Sequence, residues 1–371
     1  MWYRCFCNLA LSSGSIGYPT SILFFNLTLQ KVEHTGDIMD EKSETWYPHL
    51  LGFLLPIITI LGIYKGGYWA FSGFVYAIFL GPIFNILSPK TAPTRSEPKP
   101  FIWNSLLVSH AIFMYACIVI LCWRAKVDDF GIPVIMGALS VGVVSGISGI
   151  INAHEAGHRK KGSYLWRLSR VNLFLVLYEH FTTEHNNSHH RNYATVKDAA
   201  SAPRGIGLWR HLIRTIPLQY ISAWKTHSGK GRTGFKNPIL HGLIIQLGML
   251  TTLLLYSPSA MYAFLIQAGI AIFLLEFVNY LQHYGLRREV RERHTVMHSW
   301  EFRGVWSRWT LLELPLHPAH HLKASKPLWD LRAQEGSPQL PFGYYVCLWV
   351  AIFPPLWKKV MGRRIDALTP S

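Results

Sequence analysis

The chain has 371 residues, of which half are hydrophobic and only 15% are charged, whereas about a quarter of an average soluble domain is charged. Its formal charge of +16 suits either nucleic-acid binding or basic loops beside an anionic membrane surface. Because long apolar stretches accompany the charge and no nucleic-acid-binding motif does, the composition argues against a soluble domain and favours a multi-pass membrane protein.

Hydropathy divides the chain into an N-terminal extension (residues 1–45), a single membrane domain (residues 46–364) and a short tail (residues 365–371). An apolar run at residues 16–29 is shorter than the roughly 20 residues that a membrane span needs. It therefore suits a signal-like or interfacial segment better than a seventh span.

Six later stretches are apolar and long enough, or nearly so, to cross a bilayer. They are residues 47–64, 68–87, 102–123, 130–151, 239–256 and 259–278. Aromatic residues such as Tyr47 and Trp123 stand at several of their ends, as in the aromatic belts of membrane proteins. A further apolar run, residues 344–357, is interrupted by Pro354 and Pro355 and predicts a segment that dips into the membrane. The predicted fold is all-α with six transmembrane helices.

The charges of the connections predict the orientation. Short loops on one side hold only Lys65, Arg124 and Lys126, whereas residues 88–101, residues 152–238 and the C-terminal third hold most of the remaining Lys and Arg. Cytosolic loops of membrane proteins carry the excess of basic residues. We therefore expect the long segments to form a cytosolic helical cap, with both ends of the six-helix core on that side.

The chain has 18 histidines, and half of them fall into four compact groups. The spacings are H-x-x-x-H, H-x-x-x-H-H, a single histidine after the sixth span, and H-x-x-H-H. In chain order the members are His154, His158, His185, His189, His190, His283, His317, His320 and His321. One histidine at the end of a span is usually an interfacial residue, but nine on one predicted membrane face indicate a metal site.

Spacing also predicts how these residues share metals. Residues i and i+4 of a helix project from one face, so His154 and His158 can reach one metal together. The same argument pairs His185 with His189 and turns His190 by about 100° towards a neighbouring metal. Neutral imidazole binds iron, copper, zinc and nickel, so the ligand type alone leaves the metal open.

Carboxylates near the histidines are candidates to orient them, because metal-bound histidines usually donate their second ring N–H to a carboxylate or carbonyl group. The candidates are Glu155, Glu184 and Asp198. Glu276 lies inside the sixth span, two helical turns before His283, and Asn279 shares its helical face. Since an ionisable residue within a span is a functional candidate, we expect Glu276 and Asn279 to contribute to the reaction.

Aromatic residues are frequent in the second span. Trp69, Phe74 and Phe79 are candidates to line a channel for an apolar substrate that enters from the lipid. The same pattern is common in plain helix packing and lipid contact, so it indicates a channel only weakly.

Four of these segments together resemble a known family, the membrane-bound alkane 1-monooxygenases and xylene monooxygenases of the fatty acid desaturase-like superfamily. Residues 184–190, followed by Ala194, Thr195 and Asp198, resemble the family line E-H-N-x-G-H-H…A-T-x-x-D, and residues 279–286 resemble N-Y-x-E-H-Y-G-L. The likeness runs from about residue 47 to residue 364. It implies two iron ions bound by the nine histidines, O₂ as co-substrate, and electrons from rubredoxin or ferredoxin and its reductase. It also implies hydroxylation of an unactivated, terminal C–H bond of an alkane or alkyl chain to an alcohol.

Five positions depart from the family pattern. Gln282 stands where the family commonly has Glu, Ser188 where it has Gly, and Ala319 where it has Asp. Leu316 stands where Arg is usual, and Asn85 where the second span often has Asp. None of these changes removes a histidine, so we expect them to affect tuning and substrate choice rather than metal binding.

Two alternatives remain open at this point. A fatty-acyl desaturase or lipid hydroxylase has the same kind of site, although desaturases generally carry two H-x-x-H-H groups and lack the extra residue of H-x-x-x-H-H. A metal-binding membrane protein without catalytic activity is the second alternative. The five cysteines form no C-x-x-C pair, so a rubredoxin-type iron site within the chain is not expected and the electrons must come from another protein.

Overall fold

The computed structural model describes residues 41–94 and 99–368. Residues 1–40, which hold the apolar run at residues 16–29, lie outside this part of the chain, as do residues 369–371 at the end of the predicted tail. Within the described residues the fold is helical, apart from a short parallel pairing of Glu41–Ser43 (β1) with Ala92–Thr94 (β2).

The helices are numbered here along the chain, and several contain 3₁₀ or π-helical turns. They are α1 (Tyr47–Lys65), α2 (Gly67–Leu87), α3 (Pro100–Val127), α4 (Ile132–Gly157), α5 (Tyr164–Leu175), α6 (181–192), α7 (Leu208–Ser228), α8 (Pro238–Tyr256), α9 (Pro258–His283), α10 (Val305–Thr310), α11 (His317–Leu322), α12 (Tyr344–Ala351) and α13 (Pro354–Asp366). Short 3₁₀ turns at Gly234–Lys236, Val296–His298 and Leu328–Asp330 lie between them.

Among the described residues, six helices are long and apolar enough to cross a membrane, namely α1 to α4, α8 and α9. The predicted six-helix fold is thus confirmed. Asn237 begins α8 by accepting a hydrogen bond from the Ile239 backbone N–H at 3.1 Å, as an N-cap residue does. The C-terminal ends of two spans were predicted too early, at residues 151 and 278, because α4 continues to Gly157 and α9 to His283. His154 and His283 therefore lie inside helices rather than just beyond them.

The fourth span is the centre of the helical bundle. Apart from the half-buried Ile151, residues 140–157 are buried, and small residues let α9 approach them closely. A β-carbon at Gly146 would lie only 3.0 Å from Leu274 of α9, which matches the preference for small residues where membrane helices touch. In contrast, only Ile239, Gly242 and Gln246 of α8 are buried, so most of that helix faces outward.

A buried ionic cluster holds the segment before α11. The Arg308 guanidinium donates to the Glu313 carboxylate at 2.8 Å, and it also pairs with Glu44 near β1. Glu313 accepts a further hydrogen bond from His49 of α1 at 2.9 Å. Leu312 and Glu313 have backbone φ angles of 52° and 61°, a region that costs energy for residues other than glycine. The cluster therefore stabilises a strained turn that leads directly into the histidines of α11.

The apolar run at residues 344–357 forms two helices rather than one segment. Helix α12 ends at Ala351, and α13 begins at Pro354, where a proline fits the first turn of a helix. Trp357 and Met361 of α13 are buried against the core. Neither helix is among the six long enough to span a membrane.

Candidate metal centre

The cap-side end of α4 carries the first two histidines. The helix is π-helical over Ser145–Ile151 and α-helical over Asn152–Gly157. Ring centroids of His154 and His158 are 5.4 Å apart. The side chain of Asn152, where the α-helical part begins, donates to the Leu107 carbonyl of α3 at 2.7 Å. The pair is thus positioned by the packing of two membrane spans.

The next three histidines lie on α6, where the helix changes its turn. Phe181–Glu184 is α-helical, His185–His189 is a π-helical turn, and His190–Asn192 is again α-helical. A π-helical turn hydrogen-bonds i to i+5 and is frequent at functional sites. It brings the Nε2 atoms of His185 and His190 to 2.9 Å. The pairing of His185 with His189 that we expected from α-helical spacing is therefore wrong, because His185 groups with His190 instead.

The remaining four histidines come from α9 and α11. His283 is the last residue of α9, and its Nδ1 lies 3.3 Å from the carbonyl oxygen of His298. Helix α11 begins at His317, with Pro318 in its first turn. The backbone N–H of Leu316 donates to the Glu313 carbonyl at 3.0 Å, so the strained turn described above sets where α11 starts.

All nine histidines meet in two adjoining groups. In each group, one ring nitrogen per residue lies within 4.8 Å of the others. The first group contains His154, His158, His185, His190 and His320. The second group contains His189, His283, His317 and His321. The two are linked by neighbours in sequence, since α6 and α11 each contribute to both.

The spacing of the nitrogens fits shared metal ions. The Nε2 atoms of His190 and His320 are 3.1 Å apart, and those of His317 and His321 are 2.9 Å apart. Two imidazole nitrogens bound to one metal at about 2.1 Å and at a right angle to each other would be about 3.0 Å apart. Buried Nε2 atoms of four further histidines have no hydrogen-bond partner among the described residues: His154, His158, His189 and His283. A buried nitrogen without such a partner is suited to bind a metal.

Most of these imidazoles are held neutral. Burial, followed by the charge of neighbouring histidines, lowers the pKa of five of them well below its ordinary value: His185, His190, His317, His320 and His321. Burial and the charge of Arg159 lower the pKa of His158 to about 4. A neutral imidazole keeps the lone pair through which it binds a metal.

His189 differs because a carboxylate lies beside it. Asp198 Oδ2 accepts hydrogen bonds from His189 Nδ1 at 3.0 Å and from the Ser201 hydroxyl at 2.6 Å. Burial disfavours the charged imidazole, but the Asp198 carboxylate outweighs it and raises the pKa of His189. A proton on Nδ1 leaves Nε2 for a metal, which is the role that the sequence suggested for Asp198.

The chain has clear relatives among characterised proteins. A family model described as fatty acid desaturase matches residues 130–350. The chain is 31% identical to alkane 1-monooxygenase 2 of Alcanivorax borkumensis, over 89% of this chain and 93% of that protein. The chain belongs to the membrane-bound alkane and xylene monooxygenase family.

Two further relatives agree with this assignment. The chain is 28% identical to an alkane 1-monooxygenase of Pseudomonas putida, over 90% of this chain and 88% of that protein. It is 24% identical to the hydroxylase component of xylene/toluene monooxygenase from the same species, over 84% of this chain and 87% of that protein. The chain is thus an oxidoreductase of the monooxygenase type, and its six apolar helices make it a multi-pass integral membrane protein.

An apolar cavity reaches the histidines of this monooxygenase. Aliphatic side chains of α4 and α9 form much of its wall, including Val143, Ile147, Ile150, Leu274 and Val278. His154 and His185 of the first group and His317 of the second also line it. A molecule in this cavity would therefore contact both groups of histidines.

The sequence did not identify the residues of this wall. Trp69, Phe74 and Phe79, the predicted channel residues, do not line the cavity, so that prediction is wrong for it. Trp69 and Phe79 are 58% and 49% exposed, which places them on the outer surface of α2. The same helix turns Ala77 and Ile78 towards the cavity instead, whereas Phe74 packs against the core elsewhere.

Glu276 is fully buried and has four hydrogen-bond donors around it. Tyr178 and Gln219 donate to its carboxylate at 2.8 and 2.7 Å, and Asn279 donates at 3.1 Å. The Thr215 hydroxyl is 3.4 Å away. In the described part of the chain no hydrogen bond joins Glu276 to a histidine, so it does not orient His283 directly as the sequence had suggested. Asn279 lines the cavity and connects it to this carboxylate.

The other two predicted carboxylates also bond elsewhere. Glu155 accepts from Arg159 at 2.7 Å and from the Leu328 backbone N–H at 3.2 Å. Ser222 donates to Glu184 at 3.4 Å. Burial and the nearby negative charge of Asp198 raise the pKa of Glu184. Glu155 thus connects the end of α4 to the chain near Leu328, whereas Glu184 lies buried beside the histidines of α6.

The departures from the family pattern have local explanations. The Gln282 amide donates to the Tyr344 hydroxyl at 2.9 Å in the wall of the cavity. Ala319 packs against Leu316 and Leu331 in a small apolar cluster, where an aspartate would need a partner. Asn85 accepts from the Ser307 hydroxyl at 3.3 Å. The neighbours of Gln282, Ala319 and Asn85 in these contacts are uncharged.

Several residues of the site were missed by sequence reasoning. Tyr193 stacks on His321 with 3.9 Å between ring centroids. The Arg288 guanidinium also lies over the Tyr193 ring, 5.3 Å from its centroid. Tyr178 and Gln219, the partners of Glu276, are far from it in sequence. Tyr193 comes three residues after His190 of the H-x-x-x-H-H motif and was recognisable as an aromatic neighbour. No sequence signal connects Tyr178 or Gln219 with Glu276.

Proposed function

We propose that this monooxygenase uses O₂ to hydroxylate a terminal, unactivated C–H bond of an alkane or alkyl chain, giving a primary alcohol. Hydroxylation of a hydrophobic substrate follows from its relatives, which are named alkane and xylene monooxygenases. The observation that carries the proposal is the apolar cavity that ends on histidines of both groups. Alkanes have no polar group by which they could be positioned, so only a shaped apolar cavity can present them.

We assign two iron ions to the nine histidines, one to each group. The nitrogen spacings and the unpartnered buried Nε2 atoms support this assignment. Bound iron would supply the activation of O₂ that no protein side chain provides. The residues implicated in holding the ions are His154, His158, His185, His190 and His320 for one, and His189, His283, His317 and His321 for the other.

The cavity walls would orient the substrate and keep water away. Along α4 the wall runs from Val143 to His154, a rise of roughly 16 Å for an α-helix. A linear chain lying along this wall would bring its terminal carbon, rather than an internal one, to the histidines. The Gln282 amide donates to the Tyr344 hydroxyl in the wall, so this N–H is not left unpaired beside an apolar substrate.

Asn279 and Glu276 would act beside the cavity. Asn279 donates to Glu276 at 3.1 Å while lining the cavity, so it can also contact the hydroxyl group of a product. Glu276 fixes the orientation of the Asn279 side-chain amide, because a carboxylate can only accept hydrogen bonds and so holds the amide by its N–H₂ group. We therefore treat Asn279 as a contact of the bound molecule and Glu276 as the residue that positions it.

The electrons would come from a rubredoxin or ferredoxin and its reductase. The absence of any C-x-x-C pair from the sequence supports a separate donor. We place the metal centre on the cytosolic side, because the cap segments carry most of the basic residues. The membrane domain would extend over residues 46–364, with residues 1–45 as an additional segment.

Metal analysis and turnover test these proposals together. The chain purified in detergent should contain about two iron ions and, with a ferredoxin or rubredoxin reducing system, should convert alkanes to primary alcohols with matching O₂ consumption. A His317→Ala variant should lose both iron and product, whereas His241→Ala, an exposed histidine on α8, should retain both. Zinc alone with no O₂ consumption in the unchanged chain would overturn the proposal.

One observation favours a second candidate function, since the matching family model is described as fatty acid desaturase. A desaturase would remove two hydrogens from an alkyl chain, whereas a hydroxylase adds one oxygen. Mass spectrometry of the products from an alkane and from a fatty-acyl substrate separates these outcomes directly.

A further inference from the structure

A second cavity lies between the cap and the last two spans. Most of its wall is aliphatic and comes from α7, α8 and α9, including Ile216, Ile239, Leu243 and Ile272. None of the nine histidines of the metal centre lines it. It is therefore separate from the cavity in which we place the substrate.

Polar atoms without partners gather in this second cavity. Gln246 of α8 and His180 are each only 6% exposed, and both line the wall. Within the described residues, Gln246 Nε2, His180 Nε2 and the Tyr220 hydroxyl are buried and have no hydrogen-bond partner. Buried polar groups are nearly always hydrogen-bonded, so these three atoms call for a bound molecule that carries a hydrogen-bonding group of its own.

The polar part of the wall is electrically balanced. Glu179 is its acidic residue, and the Arg170 guanidinium pairs with that carboxylate and donates to the Glu179 carbonyl at 2.5 Å. Burial and the charge of Arg170 lower the pKa of His180 to about 3, so His180 is neutral. An anionic head group would meet the Glu179 carboxylate here, whereas an uncharged hydroxyl can both donate and accept.

A narrow polar partition separates the two cavities. Asn279 lines the first cavity, and Tyr178 lines the second. Both donate to Glu276, at 3.1 and 2.8 Å. Phe181 lines the first cavity within the same short segment that carries His180 in the second. The two cavities are therefore separated by Glu276 and the side chains that donate to it.

We propose that the second cavity binds a long-chain, uncharged alcohol, with its hydroxyl group at Gln246, His180 and Tyr220 and its alkyl chain along the aliphatic wall. An alkane could not satisfy the three polar atoms, and a fatty acid would add a second carboxylate to a wall in which Arg170 already pairs with Glu179. That this alcohol is the enzyme's own product rests on the hydroxylation proposed above. The binding itself depends only on the residues of the cavity.

Photolabelling of the metal-loaded, full-length chain in phosphatidylcholine nanodiscs tests the binding. No electron donor is added, so turnover does not occur. The probes are a dodecanol that carries a diazirine in its chain and a dodecane with the same diazirine. We expect the alcohol to label the cavity segments, such as residues 239–246, at a roughly fivefold lower concentration than the alkane, as one hydrogen bond would give. Unlabelled dodecanol should compete, and dodecanoate should not.

Variants connect the labelling to the proposed residues. Gln246→Leu and Tyr220→Phe should each weaken labelling by the alcohol several-fold and leave labelling by the alkane unchanged. Leu243→Trp should fill the cavity and abolish labelling by both probes. Thr252→Val is the matched control, because that hydroxyl lies on the exposed side of the same helix, where it donates to the Gly248 carbonyl, and Thr252 does not line the cavity. Iron content and thermal unfolding show that each variant is folded.

Equal labelling by the alcohol and the alkane would overturn the proposal. Displacement of the alcohol by excess phospholipid would also overturn it, since the cavity would then simply hold lipid tails. An unchanged result for both Gln246→Leu and Tyr220→Phe would also overturn it. Because the assay contains no reductant, its failure leaves the hydroxylation proposal untouched. Absence of alcohol formation in the turnover assay would conversely leave a positive binding result standing.

Discussion

Replacement of Asp198 by asparagine should remove iron from one of the two groups of histidines and spare the other. Asp198 Oδ2 accepts the Nδ1 proton of His189 at 3.0 Å, and both side chains are almost fully buried. Asparagine keeps the shape but removes the charge, and its amide can turn an N–H towards Nδ1. The imidazole proton would then move to Nε2, the atom that faces the other members of the second group, and His189 could no longer bind a metal.

The size of this effect follows from the contact. A hydrogen bond to a charged group contributes about 1.5–3 kcal/mol, and loss of such a partner typically lowers metal affinity about 10–100-fold. The first group shares no hydrogen bond with Asp198 in the described chain, so its affinity should change little. Titration with an iron chelator should therefore remove one iron from Asp198→Asn at a concentration at least tenfold lower than from the parent chain, and the second iron at an unchanged concentration.

Ser201→Ala is the matched control. Its hydroxyl donates to the same carboxylate oxygen at 2.6 Å, and among the described residues no hydrogen bond joins it to a histidine of the centre. Because Ser201→Ala keeps the Asp198 charge and its bond to His189, it should shift the chelator concentration by less than about threefold, well below the roughly 10–100-fold effect of losing the carboxylate. Retention of both irons by Asp198→Asn at every chelator concentration that spares the parent chain would refute the reasoning. Simultaneous loss of both irons would show that the two groups do not bind independently.

Three further changes have defined outcomes. Gly146→Ala adds a methyl group 3.0 Å from Leu274 in the cavity wall, and it should lower kcat/KM for the longest accepted alkane about tenfold but not for shorter ones, whereas Gly248→Ala, in open space, should change neither. Arg308→Met removes the cation that pairs with Glu44 and Glu313 in the buried ionic cluster, and it should lower the free energy of unfolding by about 3–5 kcal/mol, seen as an earlier thermal transition in detergent. Glu276→Gln places an amide N–H against surrounding donors; loss of about two hydrogen bonds should cost about 2–4 kcal/mol, and an unchanged melting temperature would contradict the contacts described for this carboxylate.

The six spans could be predicted because a bilayer imposes a length and a composition that are visible in the sequence. Their far ends were less accessible. Helices α4 and α9 continue beyond their apolar stretches and carry His154 and His283 in their last turns. Both histidines are polar and yet buried. Hydropathy falls at these residues although the helix does not end.

The nine histidines were recognisable from their spacing, but their division between two groups was not. An α-helical reading pairs His185 with His189, whereas the π-helical turn pairs His185 with His190. Nothing in the local sequence announces a π-helical turn. The cavity wall was equally inaccessible, because it depends on which side of α2 faces α4 and α9, and aromatic residues are common on either side.

Partners that are distant in sequence formed a third limit. The polar environment of Glu276 comes from Tyr178, Thr215 and Gln219, and Glu313 accepts a hydrogen bond from His49, which is also distant in sequence. An isolated acidic residue within an apolar stretch indicates that such partners exist. Only the packing of the cap onto the spans shows which residues they are.

The π-helical turn of α6 has a bearing on how this family relates to enzymes with the shorter H-x-x-H-H box. One additional residue in an α-helix is absorbed as a π-helical turn without disturbing the helix on either side, and H-x-x-x-H-H is longer than H-x-x-H-H by one residue. Deletion of a single residue among Asn186, Asn187 and Ser188 would restore regular α-helical geometry and the shorter box at the same time. Insertion or loss of one codon would thus be enough to exchange the two spacings, and with them the side of the helix on which His185 lies relative to His189 and His190.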